Sequence, residues 1–250
     1  MDDVAVIILA AGKGTRMKSG LAKVLHRVAG KSMVNHVVES ALGVSRNHVH
    51  VVVGHQASQV RAEILRFHPV HFASQEELLG TGDAVKAALP GLDPAIRNVL
   101  VLCGDVPLIQ RETIQDVVRV HADAKAQLTV LAVQVDDPTG YGRIIQDADG
   151  NLTAIREEAD AVADEKQICL VNSGIYCFDR TFLETGIQLI GNTNNQAEYY
   201  LTDLVEIAVS KKVKTFIRKA CEPAQVMGVN TLEELSRAEA LFDKVQNELS

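Results

Sequence analysis

The sequence predicts an α/β fold: a mostly parallel sheet flanked by helices, a smaller α+β lobe, and a long C-terminal helix. Three observations carry this expectation. Short unbroken apolar runs recur, as expected for strands buried on both faces. Up to residue 135 they alternate with stretches of helical period, the pattern of parallel strands linked by right-handed crossovers. After Pro138 the alternation gives way to a hairpin signal and a mixed order of elements.

The elements follow in order. Val4–Leu9 is a continuous apolar run and the first strand; Ser32–Leu42 is the first helix. Val49–Val53 and Val70–Ala73 are strands separated by a helix over Ser58–Phe67. Gly82–Leu89 is helical and stops before Pro90, which cannot continue it. Val99–Cys103 is another buried strand, Arg111–Ala124 a helix and Leu128–Val135 a strand. Tyr141–Gln146 and Leu152–Ile155, joined by Asp147-Ala148-Asp149-Gly150, read as a β-hairpin. Ser173–Phe178 and Val213–Arg218 are strands, with helices at Arg180–Leu189 and Tyr200–Ser210 between them. This second half is expected to form the other wall of a cleft, not an independent domain. Thr231–Leu249 is an amphipathic helix with Leu232, Leu235, Phe242, Val245 and Leu249 near one face.

Composition narrows the function. Apolar residues are 47% and charged residues 23%, as in an ordinary globular chain. The longest apolar run, Val4–Ala11, is far short of the roughly 20 residues of a membrane span. The net charge of −7 argues against a general nucleic-acid coat. The acidic start Met1-Asp2-Asp3 lacks the basic flank of a secretory signal, and the four cysteines form no C-x-x-C pair. A cytoplasmic protein with reduced thiols is expected.

The first strand runs into Leu9-Ala10-Ala11-Gly12-Lys13-Gly14-Thr15-Arg16-Met17. Small residues let backbone N–H groups approach a ligand, which makes such a loop a natural phosphate cradle. It is not the dinucleotide fingerprint: the sixth place is Met17, and Gly54-His55-Gln56 after the second strand supplies no acid. Nor does the chain contain a P-loop string. From Val4 to Val38 there is no Asp or Glu, where about four or five are expected at the chain average. The same stretch carries Lys13, Arg16, Lys18, Lys23, Arg27 and Lys31. A solvated basic face is one reading; a triphosphate site is the sharper one, since phosphoryl and nucleotidyl transfer rest on positioning and charge neutralisation. The strand ending Cys103-Gly104-Asp105 puts a carboxylate where open α/β sheets bind ligands. Gly104 is expected to leave room for a ligand, and Asp105 to be a hard oxygen ligand for Mg²⁺ or a simple turn residue.

These strings together resemble the sugar-phosphate nucleotidyltransferases. More narrowly, the chain is similar to the uridylyltransferase domains of bacterial bifunctional N-acetylglucosamine-1-phosphate uridyltransferases. The likeness rests on Leu9 to Met17, Lys23-Val24-Leu25-His26, Gly80-Thr81-Gly82, Gly104 to Leu108, Asp136 to Ile144, Asn172-Ser173-Gly174-Ile175, Glu198 to Asp203 and Gly228-Val229-Asn230. It implies a Rossmann-like sheet and a nucleotidyltransferase domain over residues 1–230, with a nucleotide half (1–135), a sugar half (136–230) and a connector helix (231–250). It implies that Leu9, Ala10, Ala11 and Gly12 hold uracil and ribose through backbone contacts, that Gln75 reads the uracil edge, and that Gly80 and Thr81 complete the base pocket with Gly104 nearby. Arg16 and Lys23 would be catalytic, neutralising the triphosphate; Asp105 and Asn230 would hold Mg²⁺; Gly142, Glu157, Asn172 and Asn230 would recognise the sugar. Taken alone, Glu157 would read as a solvated carboxylate, and Asn172 and Asn230 as turn residues. The implied reaction joins UTP and N-acetylglucosamine-1-phosphate into UDP-N-acetylglucosamine and pyrophosphate.

The chain departs from the family at Ala22, where Pro is usual before the lysine, at Leu78, where a second glutamine is common, and at Ala159, where Lys is common. These bear on base and sugar preference rather than on reaction type. The family usually continues into a β-helix that transfers acetyl groups; the chain ends at Ser250, so acetyl transfer is not expected. No histidine is needed, no nucleic acid or membrane partner is expected, and no oligomeric state is read from the sequence. The competing readings are a related cytidylyl- or guanylyltransferase and a nucleotide-sugar-binding sensor without turnover.

Overall fold

The computed structural model describes residues 3–248. Its centre is a nine-stranded sheet. Strands β1 (Val4–Ala10), β4 (Val49–Val53), β5 (His71–Ser74) and β6 (Asn98–Cys103) run parallel, with β1 between β4 and β6. Strands β7 (Leu128–Gln134) and β11 (Thr215–Lys219) pair parallel at the other edge. Between these two groups lies β10 (Leu170–Asp179), antiparallel to both β6 and β7. The hairpin of β8 (Arg143–Gln146) and β9 (Leu152–Arg156) joins the sheet through β10. Strands from both halves of the chain therefore share one sheet.

Period-2 alternation sorts the first strand between two cores. Val4, Val6, Ile8 and Ala10 face one layer with α1 (Met33–Leu42), α2 (Ala57–Leu65) and α4 (Arg111–Ala124). Ala5 and Ile7 face the other, with α3 (Thr81–Ala88), α5 (Arg180–Gly186) and α6 (Asp203–Ser210). Ile7 and Ile8 are fully buried; burying each such side chain contributes about 1.5–3 kcal/mol. The run reads as unbroken apolar sequence because both faces are covered.

The α/β class and the mostly parallel sheet match the expectation, with three differences. The strand expected over Ser173–Phe178 is longer, and a register shift between Asn172 and Ile175 interrupts it. The helices expected from Arg180 and Tyr200 are shorter: the first ends at Gly186 and passes into a 3-10 turn, and the second starts at Asp203. A small hairpin, β2 (Arg27–Val28) with β3 (Lys31–Ser32), was not expected from the sequence. Its two turn residues, Ala29 and Gly30, both have positive φ, at 48° and 78°.

The last helix, α7 (Leu232–Glu248), lies against this hairpin. Leu235 and Phe242 pack with Val28, Met33, Val229 and Ala238. Leu232 does not join them and is 54% exposed. The side chain of Val245, and Leu249 altogether, lie outside the described residues. No helix among the described residues is long and apolar enough to cross a membrane. None of the four cysteines is in a disulfide. His50 and His121 are buried in the fold, and burial lowers each to about 4, so both stay neutral at ordinary pH.

Candidate active site

The parallel strands β1 and β6 end side by side, Leu9 opposite Cys103, and their following loops open one cavity of about 520 Å³. Leu9, Ala10, Ala11, Gly12, Lys23, Gln75, Gly80, Thr81 and Asp105, all expected from the sequence, line it together. So do Lys13, one of the cations of the expected triphosphate site, and Leu78, Cys103 and Glu198, to which the sequence assigned no site role. Arg16, Gly104, Gly142, Glu157, Asn172 and Asn230 are not on this wall.

The loop geometry explains its glycines. At Gly14, φ is +63°, and a Cβ would stand 2.4 Å from Cβ of Lys23. Only glycine lets the Lys23 stem cross the loop here. At Gly12 a Cβ would meet nothing within 4 Å, so that backbone faces open space. Gly104 is constrained by the protein's own backbone. A Cβ there would lie 3.0 Å from the Leu9 carbonyl and 3.3 Å from Ala10 Cβ, and its N–H donates to Leu9 O at 2.9 Å. Its bareness accommodates the loop's own backbone.

Lys23 sits in a 3-10 turn whose preceding residue is pinned: the Ala22 N–H donates to Gln56 Oε1 at 2.8 Å, and Gln56 Nε2 donates to Gly20 O at 2.7 Å. Proline at position 22 has no N–H for this bond, so Ala22 belongs with Gln56. The Lys23 ammonium donates to Asp105 Oδ2 and, at 2.9 Å, to Asn230 Oδ1. Arg16 Nη2 reaches the same Asn230 oxygen at 2.9 Å from the rim. Two residues far apart in sequence thus aim oxygens at one cation. The other basic residues go elsewhere: Lys31 pairs with Glu39 at 2.5 Å, Arg27 reaches Glu63 at 3.6 Å, and Lys18 is exposed.

A capping box holds Asn230 in place. Thr231 Oγ1 accepts from Glu234 N at 3.1 Å, while Glu234 Oε2 accepts from Thr231 N at 2.9 Å and from Asn230 N at 2.6 Å. Val229 N donates to the backbone carbonyl of Asp105 at 2.9 Å. The start of α7 is therefore tied to the end of β6. The donor set suits a hard cation. Asp105 Oδ2 and Asn230 Oδ1 already converge on an ammonium, and no group of three or more His, Cys, Asp or Glu able to hold a metal occurs among the described residues. One carboxylate and one amide oxygen, completed by phosphates and water, are what Mg²⁺ commonly uses.

A second cluster gathers Gly142, Glu157 and Asn172. Asn172 N donates to Gly142 O at 2.8 Å, and a Cβ on Gly142 would lie 3.3 Å from Glu157 Oε2. Thr202, not expected from the sequence, donates to Glu157 Oε1 at 3.0 Å. Asn172 is also a turn residue: its Oδ1 accepts from Gly174 N at 3.1 Å, and its Nδ2 donates to Tyr176 Oη at 2.6 Å. Burial raises the Glu157 carboxyl above its ordinary value, against the Thr202 bond that lowers it; Asp160, Asp203 and Glu198 add to the rise. Cys103 feels both clusters. Burial lifts its thiol to about 12, with Asp105 and Glu157 raising it and Lys23 lowering it. It is a neutral wall, not a nucleophile.

The base-side wall is braced by the Glu198–Leu201 segment. Tyr199 N donates to Leu79 O and Gly82 N to Tyr199 O, both at 2.7 Å, and Leu201 N donates to Thr81 Oγ1 at 3.0 Å. Leu78 stands on this wall as an apolar side chain. Ala159 is exposed, and its carbonyl accepts from Asn195 Nδ2 at 2.7 Å.

Residues 6–203 match the family described as the MobA-like NTP transferase domain. The chain is 47% identical over 238 residues to the bifunctional protein GlmU of Geobacter metallireducens, covering 95% of this chain and 50% of that protein. The GlmU of Desulfotalea psychrophila is 44% identical over 236 residues, 94% of this chain and 69% of that protein. That of Clostridioides difficile is 43% identical over 242 residues, 97% of this chain and 52% of that protein. The chain spans about half the length of most of these curated relatives. The glycine loop, the paired strand ends and this extent of identity place the chain in the MobA-like NTP transferase domain family, on the branch it shares with the bifunctional GlmU proteins.

Proposed function

We propose that the chain is a Mg²⁺-dependent sugar-phosphate uridylyltransferase that forms UDP-N-acetylglucosamine and pyrophosphate from UTP and N-acetylglucosamine-1-phosphate. The observation that carries this reading is the convergence of Asp105 and Asn230 oxygens on the Lys23 ammonium, at the wall of a cavity floored by a glycine-rich loop. The resemblance in sequence and the relatives' identity support the same reading. The nucleotide half, residues 1–135, supplies the cavity wall apart from Glu198, and the sugar half, residues 136–230, supplies the Gly142–Glu157–Asn172 cluster.

The sugar phosphate is already an anionic oxygen nucleophile, so no protein nucleophile or general base is required. Its oxygen bonds to the α-phosphorus of UTP as the bond from that phosphorus to the bridging oxygen breaks, and pyrophosphate leaves with the electron pair. The chain's work is alignment and charge. The backbone of Leu9 to Gly12 seats the nucleoside, Gln75 and Gly80 meet the base, and Glu157 and Asn172 hold the sugar. Lys23 and Arg16 bring positive charge to the phosphates. Asp105 and Asn230 would hold Mg²⁺, which when bound would supply further charge neutralisation for the triphosphate and the leaving group.

The test is pyrophosphate release from UTP with a panel of sugar-1-phosphates, with and without Mg²⁺. Release is expected only with Mg²⁺. It is expected to be at least about tenfold more efficient with N-acetylglucosamine-1-phosphate than with glucose-1-phosphate, which leaves a buried partner unpaired. Binding without release makes the chain a sensor; faster release from CTP or GTP overturns the base assignment.

A further inference from the structure

Gln75 is 6% exposed and lines the cavity, yet it is not free to turn. Its Nε2 donates to Gly80 O at 3.0 Å and to Asp83 Oδ2 at 2.9 Å. A carbonyl and a carboxylate only accept, so the amide nitrogen has to face them, and the flipped amide would set oxygen against two oxygens. Both amide hydrogens are spent inside the protein. Oε1 has no donor among the described residues, and it is the atom left to meet a ligand. The backbone gives the side chain no slack, because Gln75 N is bound to Val53 O at 2.8 Å.

We propose that Asp83 is the positioning residue that sets nucleobase choice, by locking Gln75 as an acceptor-only wall. This deepens the uridylyltransferase reading and rests on it. A glutamine amide free to flip can accept from the N3–H of uracil or donate to the bare N3 of cytosine with equal ease. Locked, it can only accept. Uracil supplies the hydrogen. Cytosine sets a lone pair against Oε1, or shifts in the pocket to offer its amino group and leaves N3 unpaired. Gly80 O holds one hydrogen of the amide, but it is backbone and common to any side chain at position 83. The carboxylate is the part of the lock that the sequence chooses. It sits in the first turn of α3, one residue after the Gly82 N–H that binds Tyr199 O, so the helix start and the base wall are one rigid unit.

The experiment compares kcat/KM for UTP and CTP, with N-acetylglucosamine-1-phosphate and Mg²⁺, in the wild type and in Asp83→Asn. Asparagine keeps the size and can meet either face of the Gln75 amide, so the carboxylate's part of the lock is gone and only the Gly80 carbonyl still opposes the flip. The UTP:CTP ratio is expected to fall about tenfold or more, chiefly through KM, as when one buried hydrogen-bond preference is lost. A merely structural defect at the start of α3 would lower both substrates together and leave the ratio alone. Asp83→Ala, which removes the acceptor altogether, is read in the same way should Asp83→Asn not fold. A folded variant that keeps the wild-type ratio overturns the role of Asp83. A wild type that shows no preference for UTP overturns instead the uridylyl reading beneath it.

Discussion

Replacing Lys23 by alanine removes the cation on which Asp105 and Asn230 converge, and the structure sets the size of the effect. The Lys23 and Asp105 side chains are each 16% exposed. Breaking a fully buried pair costs about 3–5 kcal/mol because it strands a charge. Partial exposure brings this nearer the cost of an unpaired polar group, about 1–3 kcal/mol. For a chain of this length each kcal/mol moves Tm by about 2–4 °C, so a fall of about 2–12 °C is expected. The variant leaves the Asp105 and Asn230 oxygens without the ammonium they share, with only Arg16 still on the Asn230 oxygen. Millimolar Mg²⁺ is therefore expected to raise the Tm of Lys23→Ala more than that of the wild type. In turnover, the lost charge matters most where phosphate charge develops: kcat is expected to fall about 100- to 1,000-fold, with a smaller change in the KM for UTP. Thermal melts with and without Mg²⁺, and initial rates of pyrophosphate release, measure both. A folded variant with near-wild-type kcat, or one that melts with the wild type and ignores Mg²⁺, refutes the reasoning.

Asp105→Asn keeps the shape and removes the anionic ligand; Mg²⁺-dependent release is expected to drop on the order of 100-fold while circular dichroism stays native. Glu157 titrates above its ordinary value because it is buried, so its ionisation opposes folding. The sign follows: this group's share of stability is complete below the ordinary glutamate range and is lost as pH rises through the raised folded value. Glu157→Gln, which keeps an acceptor for Thr202, is expected to melt above the wild type at pH 7 and level with it in acid. The same variant is expected to raise KM for the sugar phosphate and leave UTP binding without sugar nearly unchanged. Melting curves across pH and isothermal titration check these, and a Glu157→Gln advantage that grows in acid contradicts the burial argument.

The first half of the fold was legible because its strands announce themselves. Val4–Ala10 is apolar throughout, and Val49–Val53 and Asn98–Cys103 are apolar but for His50 and Asn98, being covered on both faces. The place of β10 was not. Its local sequence shows a strand but not its partners, and the register shift near Gly174 (φ +78°) breaks the run at its start. The β2–β3 hairpin escaped notice because Ala29, with φ at 48°, occupies a position that usually advertises itself as Asn or Gly. In the site, the glycine loop and Asp105 were readable from spacing and charge. Thr202, Asp83 and Glu198 were not. Thr202 and Asp83 act through neighbours that tertiary structure supplies, Glu157 for Thr202 and Gln75 for Asp83, and Glu198 reaches the cavity wall only through the fold; none belongs to a local pattern with chemistry of its own. At Gly104 the sequence shows the need for a bare residue but not its packing reason, a Cβ there standing 3.0 Å from the Leu9 carbonyl.

The antiparallel strand β10 also dictates an order of assembly during synthesis. The first 103 residues hold β1, β4, β5 and β6, which pair with one another. Strand β7 emerges next, but its place beside them is reserved for β10, which is complete only at Asp179. Until then the nascent chain carries two open flanks, the far side of β6 and the inner side of β7. Both are lined by residues that are buried in the finished protein. Such unpaired flanks invite pairing with a neighbouring chain. A ribosome stalled with β7 outside the exit tunnel and β10 still inside it would expose both flanks at once, and a pause just after β10 clears the tunnel would let the sheet close before α6 and β11 arrive.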